Sequence, residues 1–213
     1  MKKVIALLAA FAVAITSFAQ TPEEIVNKMN EVMDKLEGSG TGMTMVSKVP
    51  ILGTMTTTIY SLGHKTRLEV GMEGQKAITW MDGNTEWEYN PGSNTVTIKN
   101  RGSKKKPSEL KNSNMEELEM LEDITDGYDV FLTKETDKAW YLQCKKNKSN
   151  KRKDDPKKMD LVVAKGTYHP ISLSTKVSGF TMTMRDFKFN VTEKDVTFNK
   201  ADYPGVTIID ERK

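Results

Sequence analysis

Cysteine is nearly missing from this 213-residue chain, where only Cys144 is present. A lone Cys forms no internal disulfide, so stability has to come from a packed core. One Cys and two His cannot build a zinc cluster on their own, which leaves no residue pattern for a metal site. Excess charge is missing too. The formal net charge is +3, and that balance demands no nucleic-acid partner. Past the N-terminus no segment reaches the ~18 apolar residues that a membrane helix needs. Catalytic groupings are likewise scarce. His64 and His169 have no Ser or Cys beside them in a nucleophile motif, Asp154-Asp155 sits in a charged loop, and Cys144 reads as an ordinary strand position. The chain therefore reads as a non-enzyme with no cofactor.

What is plentiful is methionine, 13 residues in all. Met fills irregular gaps in cores and also lines surfaces that accept varied apolar ligands. The N-terminus reads as an export leader: Lys2-Lys3 are the basic region, Val4 to Ile15 the apolar region, and Ser17-Phe18-Ala19 the cleavage boundary. Cleavage after Ala19 leaves residues 20–213 as one domain. The absence of a Cys at the boundary predicts a soluble exported chain without a lipid anchor. Thr21-Pro-Glu-Glu24 opens a capped helix whose apolar stripe carries Ile25, Val26, Met29, Val32, Met33 and Leu36. Pro107 begins a second helix with Met115, Leu118 and Leu121 at helical spacing.

Between and after these helices the pattern is nearly all strand. Met43 and Met45 share one face, as do Met55, Thr57 and Ile59; Leu68 and Val70 alternate with Arg67 and Glu69. Asp82-Gly-Asn-Thr-Glu-Trp-Glu-Tyr-Asn-Pro91 is a turn, a strand and a turn. It predicts a meander with Ile78, Trp80, Trp87, Tyr89, Val96 and Ile98 on one apolar face. Further strands run through Tyr128–Leu132, Ala139–Cys144, Met159–Ala164, Pro170–Val177, Phe180–Arg185 and Asp186–Val191. Lys145 to Lys158 is dense in lysine. It is either a solvated loop or an electrostatic foot for an acidic partner or anionic lipid. Ten or more strands with two helices predict a mainly β fold, a strongly curved antiparallel sheet with helices over an apolar cavity.

The segment at Asp82–Pro91, in the form DGxTxWxYxP, and the ending Tyr203-Pro-Gly-Val-Thr-Ile-Ile-Asp210 resemble the LolA-type periplasmic lipoprotein carriers. Phe187, Asn190 and Val196-Thr-Phe198 resemble the last hairpin of that family. The resemblance spans the whole chain after the leader. It implies an incomplete half-barrel whose cavity holds acyl chains of lipoproteins or another lipid, with a helical lid and no chemistry. The expected cavity residues are Met43, Met45, Met55, Leu68, Val70, Ile78, Trp80, Trp87, Tyr89, Trp140, Leu142, Met182 and Met184. The lid would present Met29, Met33, Met115, Leu118 and Leu121. Arg67 is the nearest match to the arginine with which these carriers latch the lid; otherwise it is a solvent-facing strand residue. The implied partner is an inner-membrane lipoprotein-releasing transporter, and the carrier would act as a monomer. The alternative on the same fold is an envelope protein that binds a hydrophobic signal or a protein without transporting lipoproteins.

Overall fold

The computed structural model describes residues 20–36, 38–49, 53–72, 74–101, 124–153, 155–177 and 179–212. The leader at 1–19 and the second helix with Met115, Leu118 and Leu121 lie outside them. Helix α1 (Pro22–Lys35) starts as its capping residues dictate. The Thr21 hydroxyl accepts the Glu24 N–H at 3.2 Å, and the Glu24 carboxylate accepts the Thr21 N–H at 3.0 Å. Ile25, Val26 and Met29 are fully buried, and Met33 packs at the edge of the same core.

The strands are β1 (Thr41–Val49), β2 (Gly53–Leu62), β3 (Lys65–Met72), β4 (Gln75–Met81), β5 (Thr85–Asn90), β6 (Thr95–Asn100), β7 (Tyr128–Glu135), β8 (Ala139–Lys146), β9 (Lys158–Ala164), β10 (Pro170–Val177), β11 (Phe180–Lys188) and β12 (Thr207–Asp210). They form one sheet in the order β12-β6-β5-β4-β3-β2-β1-β11-β10-β9-β8-β7. It is curved and open, the incomplete barrel expected from the sequence. Two antiparallel meanders, β1–β6 and β7–β11, are joined by the antiparallel pairing of β1 with β11, where Met45 faces Met184. The chain end returns as β12, parallel to β6.

The strands expected at Phe180–Arg185 and Asp186–Val191 are one strand that ends at Lys188. Asp186 takes a left-handed conformation (φ 55°) there, and the register against β1 shifts by one residue. Asp tolerates that region better than most residues, so the strand bulges instead of stopping.

One face of the sheet carries α1. The opposite face, over β2–β6, carries the C-terminal tail, α2 (Glu193–Val196) and a 3₁₀ turn (Lys200–Asp202), which leads into the edge strand β12. Ion pairs Lys65–Glu193 and Lys188–Asp195 (2.8 Å) fasten the tail, and the Val191 N–H donates to the Gly40 carbonyl at 3.0 Å.

Candidate functional site

Directly paired residues in an antiparallel sheet point to the same face, so the registers define rows of side chains. One row crosses nine strands: Leu132, Leu142, Leu161, Leu173, Met184, Met45, Thr57, Val70, Ala77. A neighbouring row runs Val130, Cys144, Met159, Thr175, Met182, Ser47, Met55. Both lie on the α1 face. Their middle is fully buried: Leu142, Leu161, Leu173, Met159 and Met184 are at most 1% exposed. Met43, Ile59, Leu68 and Trp140 belong to the same core.

At its β2–β3 end this core runs out into the open. Met55 is 37% exposed and Val70 36%, while Met45 and Leu68 beside them are only partly covered. Beyond β3 the same face turns polar. Thr79, Glu86, Glu88 and Lys99 occupy it on β4–β6, with Lys99 Nζ 2.5 Å from Glu88. Burial, and then the adjoining Glu88, raise the Glu86 carboxyl above its usual range; the Lys99 ammonium holds Glu88 below it. The result is a bounded apolar strip, open to solvent along β2 and β3 and closed off by charge at β5 and β6.

The structure brings together nine of the expected cavity residues: Met43, Met45, Met55, Leu68, Val70, Trp140, Leu142, Met182 and Met184. It corrects the other four. Leu68 pairs with Thr79, and Arg67 pairs with Trp80, so Ile78, Trp80, Trp87 and Tyr89 lie on the tail face. A one-residue difference in hairpin phase sends every following side chain to the other side. Arg67 lies with them on the face away from α1, and the second helix of the expected lid lies outside the described residues.

On the tail face the row is Lys188, Gly42, Tyr60, Arg67, Trp80, Trp87, Ile98. The Arg67 guanidinium stands 5.7 Å from the centroids of both Tyr60 and Trp80 and pairs with Glu69, which Lys76 also contacts at 2.6 Å. Arg67 Nε is buried without an acceptor among the described residues. The tail closes over this row, with Tyr203 5.5 Å from Trp80 and 4.8 Å from Tyr89, and Phe198 5.2 Å from Trp80. Sequence reasoning missed Leu161, Leu173 and Met159 on the α1 face, although their alternation was visible. It also missed the aromatic closure by Phe198 and Tyr203, whose signal was the motif at the chain end.

Cys144 is fully buried, and burial pushes its thiol up to about 12. It stays protonated and unavailable as a nucleophile near neutrality. Among the described residues no three His, Cys, Asp or Glu side chains come together to hold a metal. No described helix is long and apolar enough to cross a membrane.

No protein-family model matches the sequence, and neither does any curated protein. Solved structures do match. The Mycobacterium tuberculosis lipoprotein LppX is similar at 12% identity and TM-score 0.50, over 78% of this chain and 94% of that one. A LolA superfamily protein from Nitrosomonas europaea matches at 13% and 0.31, over 84% and 99%. An outer membrane lipoprotein-sorting protein domain from Vibrio parahaemolyticus matches at 13% and 0.29, over 84% and 99%. Such identities speak to architecture alone, and the chain has the LolA-like fold.

Proposed function

We propose that this protein is an exported, periplasmic carrier that holds acyl chains of lipoproteins or other lipids against the α1 face and moves them toward the outer membrane. The reading rests on one observation: the apolar core continues along the α1 face into exposed Met55 and Val70 before the face turns polar. Each methylene laid there contributes about 0.8 kcal/mol, so a chain of ordinary length binds without a charged anchor. Methionines suit the task, because flexible thioethers adapt to chains that differ in length and kink. The LolA-like fold of the similar lipoprotein-sorting structures supports the same reading. On it, the chain performs no catalysis and begins at Gln20 after export, and an inner-membrane lipoprotein-releasing transporter is its donor.

The test is native mass spectrometry of the protein purified from its own envelope, followed by titration of the delipidated protein with a fluorescent fatty acid. Bound acyl lipid and micromolar affinity are expected. Val70→Asp should abolish binding while leaving the melting temperature near its native value, since the site is exposed. Trp87→Ala, on the opposite face, should bind as before. No acyl ligand by fluorescence or calorimetry, or undiminished binding by Val70→Asp, would overturn the proposal in favour of a protein-binding role.

A further inference from the structure

A second surface lies on the face of the sheet opposite the apolar strip. A cleft of about 670 Å³ is lined by Lys153, Lys157, Lys158 and Lys176, with Asp155 and Asp160 among them. It sits on a cross-strand row of cations. Lys48 pairs with Thr181, Thr181 with Lys176, and the Thr175–Met159 register brings Lys176 beside Lys158, which pairs with Lys145. All four lysines are exposed, on the face away from α1.

Like charges directly opposite each other in a sheet destabilise it. The acids nearby cancel the row only in part, and Lys48 and Lys176 keep their full charge. Asp155 accepts from Asn150 at 2.7 Å, Asp160 pairs with Lys158 at 3.4 Å, and Asp129, opposite Lys145, accepts from Asn147. Lys48, Lys153, Lys157 and Lys176 form no ion pair with another described residue. Nor is the loop that hangs over the cleft a loose tether. The Asn147 carboxamide accepts the Ser149 N–H at 2.9 Å, the Asn147 N–H donates to the Gly127 carbonyl, and Lys146 Nζ donates to the Arg152 carbonyl. The buried Tyr128 hydroxyl donates to the Pro156 carbonyl at 2.9 Å. The fold thus holds repelling cations in place.

We infer that this lysine row and cleft form a docking surface for a membrane rich in anionic phospholipid. The chemistry it recognises is an array of phosphate diesters. The row is several strands long, more than one small anion can span. Lysine supplies mobile point charges without the rigid fork that selects one carboxylate geometry. Phe131, exposed beneath Lys145 Nζ at 4.9 Å, sits at the end of the row and not at its centre, where a desolvated protein interface would need its aromatic anchor. A fluid array of phosphates accepts such a surface at any lateral spacing, with each lysine adding a similar increment of attraction. This inference does not depend on acyl binding.

The test is co-sedimentation of the full-length mature protein with vesicles of phosphatidylcholine, or of phosphatidylcholine containing about a third phosphatidylglycerol. Binding only to the anionic vesicles, weakening as salt rises, is expected. The triple variant Lys145→Gln, Lys158→Gln, Lys176→Gln should lose about fivefold in affinity per lysine, roughly a hundredfold in all. Its melting temperature should be unchanged or higher, because repulsion is relieved. A matched triple variant elsewhere, Lys138→Gln, Lys194→Gln, Lys200→Gln, should bind nearly as the native protein does. Val70→Asp should also bind anionic vesicles, which separates this surface from the acyl strip. Equal binding to both vesicle types, or equal loss from the two triple variants, would overturn the inference. So would occupancy by inorganic phosphate, or capture of a poly-glutamate peptide, without binding to anionic vesicles.

Discussion

At Gly42 the tail face depends on a missing side chain. A Cβ there would lie 2.6 Å from Cδ1 of Tyr60, whose ring covers the glycine and is flanked by Arg67 and by Lys188 at 5.6 Å. Gly42→Val should push the ring away and cost about 1–3 kcal/mol, as overpacking does. In the Tyr60→Ala background the same change should cost much less, and thermal melts of the double-mutant cycle will show it. Asp195 makes a pH-dependent contact. Its carboxylate is held well below the usual range, first by Lys188 and then by the Thr192 N–H and hydroxyl. A depressed folded-state pKa means that the contribution is fully present above the ordinary aspartate value of about 4 and fades only as pH falls through the lower folded value. Acidifying well below about pH 4, toward the depressed folded value, should therefore loosen the tail and shift Trp80 emission, and Asp195→Asn should show the loosened signal already at neutral pH. Cys144, buried and protonated, should resist iodoacetamide in the native state; alkylation in step with global unfolding is the expected time course.

The elements differ in how openly the sequence declares them. Helix α1 was legible to its first residue, because the Thr21–Glu24 box and the Ile25, Val26, Met29 stripe are local features. Met29→Ala should accordingly cost about 2–5 kcal/mol, whereas Met55→Ala, on the open strip, should stay within roughly 0.5 kcal/mol of native in denaturant melts. The strands were legible one by one, since alternation shows which side chains share a face of their own strand. Alternation does not show which face of the next strand they join. That phase is set across the β3–β4 turn at Gly74, where the chain takes φ 84° and brings Leu68 opposite Thr79. Arg67 and Glu69 looked like the wet side of β3 for the same reason. The aromatic cover that makes that side an interior comes from Phe198 and Tyr203, remote in sequence. Asp186 hid its bulge because an acidic residue between strands reads as a turn.

At the scale of the whole molecule, the two faces are covered by different means: the apolar core around α1 on one, the tail over β2–β6 on the other. The two coverings make separable contributions. Phe198→Ala with Tyr203→Ala should red-shift tryptophan emission, because Trp80 and Trp87 lie beneath the tail, and should lower stability by about 1–3 kcal/mol per ring. Affinity for a fatty-acyl probe should change little in that variant. A parallel collapse of acyl binding would mean that the two faces are one cooperative site.

The two places where sequence-distant strands meet, β1 with β11 and β6 with β12, also impose an order in time. Hairpins of the first meander can close as soon as their strands are free to fold, but Met43 and Met45 wait for Met184, and Trp80 and Tyr89 wait for Tyr203. Such long-range closures are the slow steps of folding. A chain made N-terminus first therefore shows unfinished surfaces on both sides of its first half until nearly the last residue has arrived. During that interval it is itself a client for whatever binds exposed methionine and tryptophan.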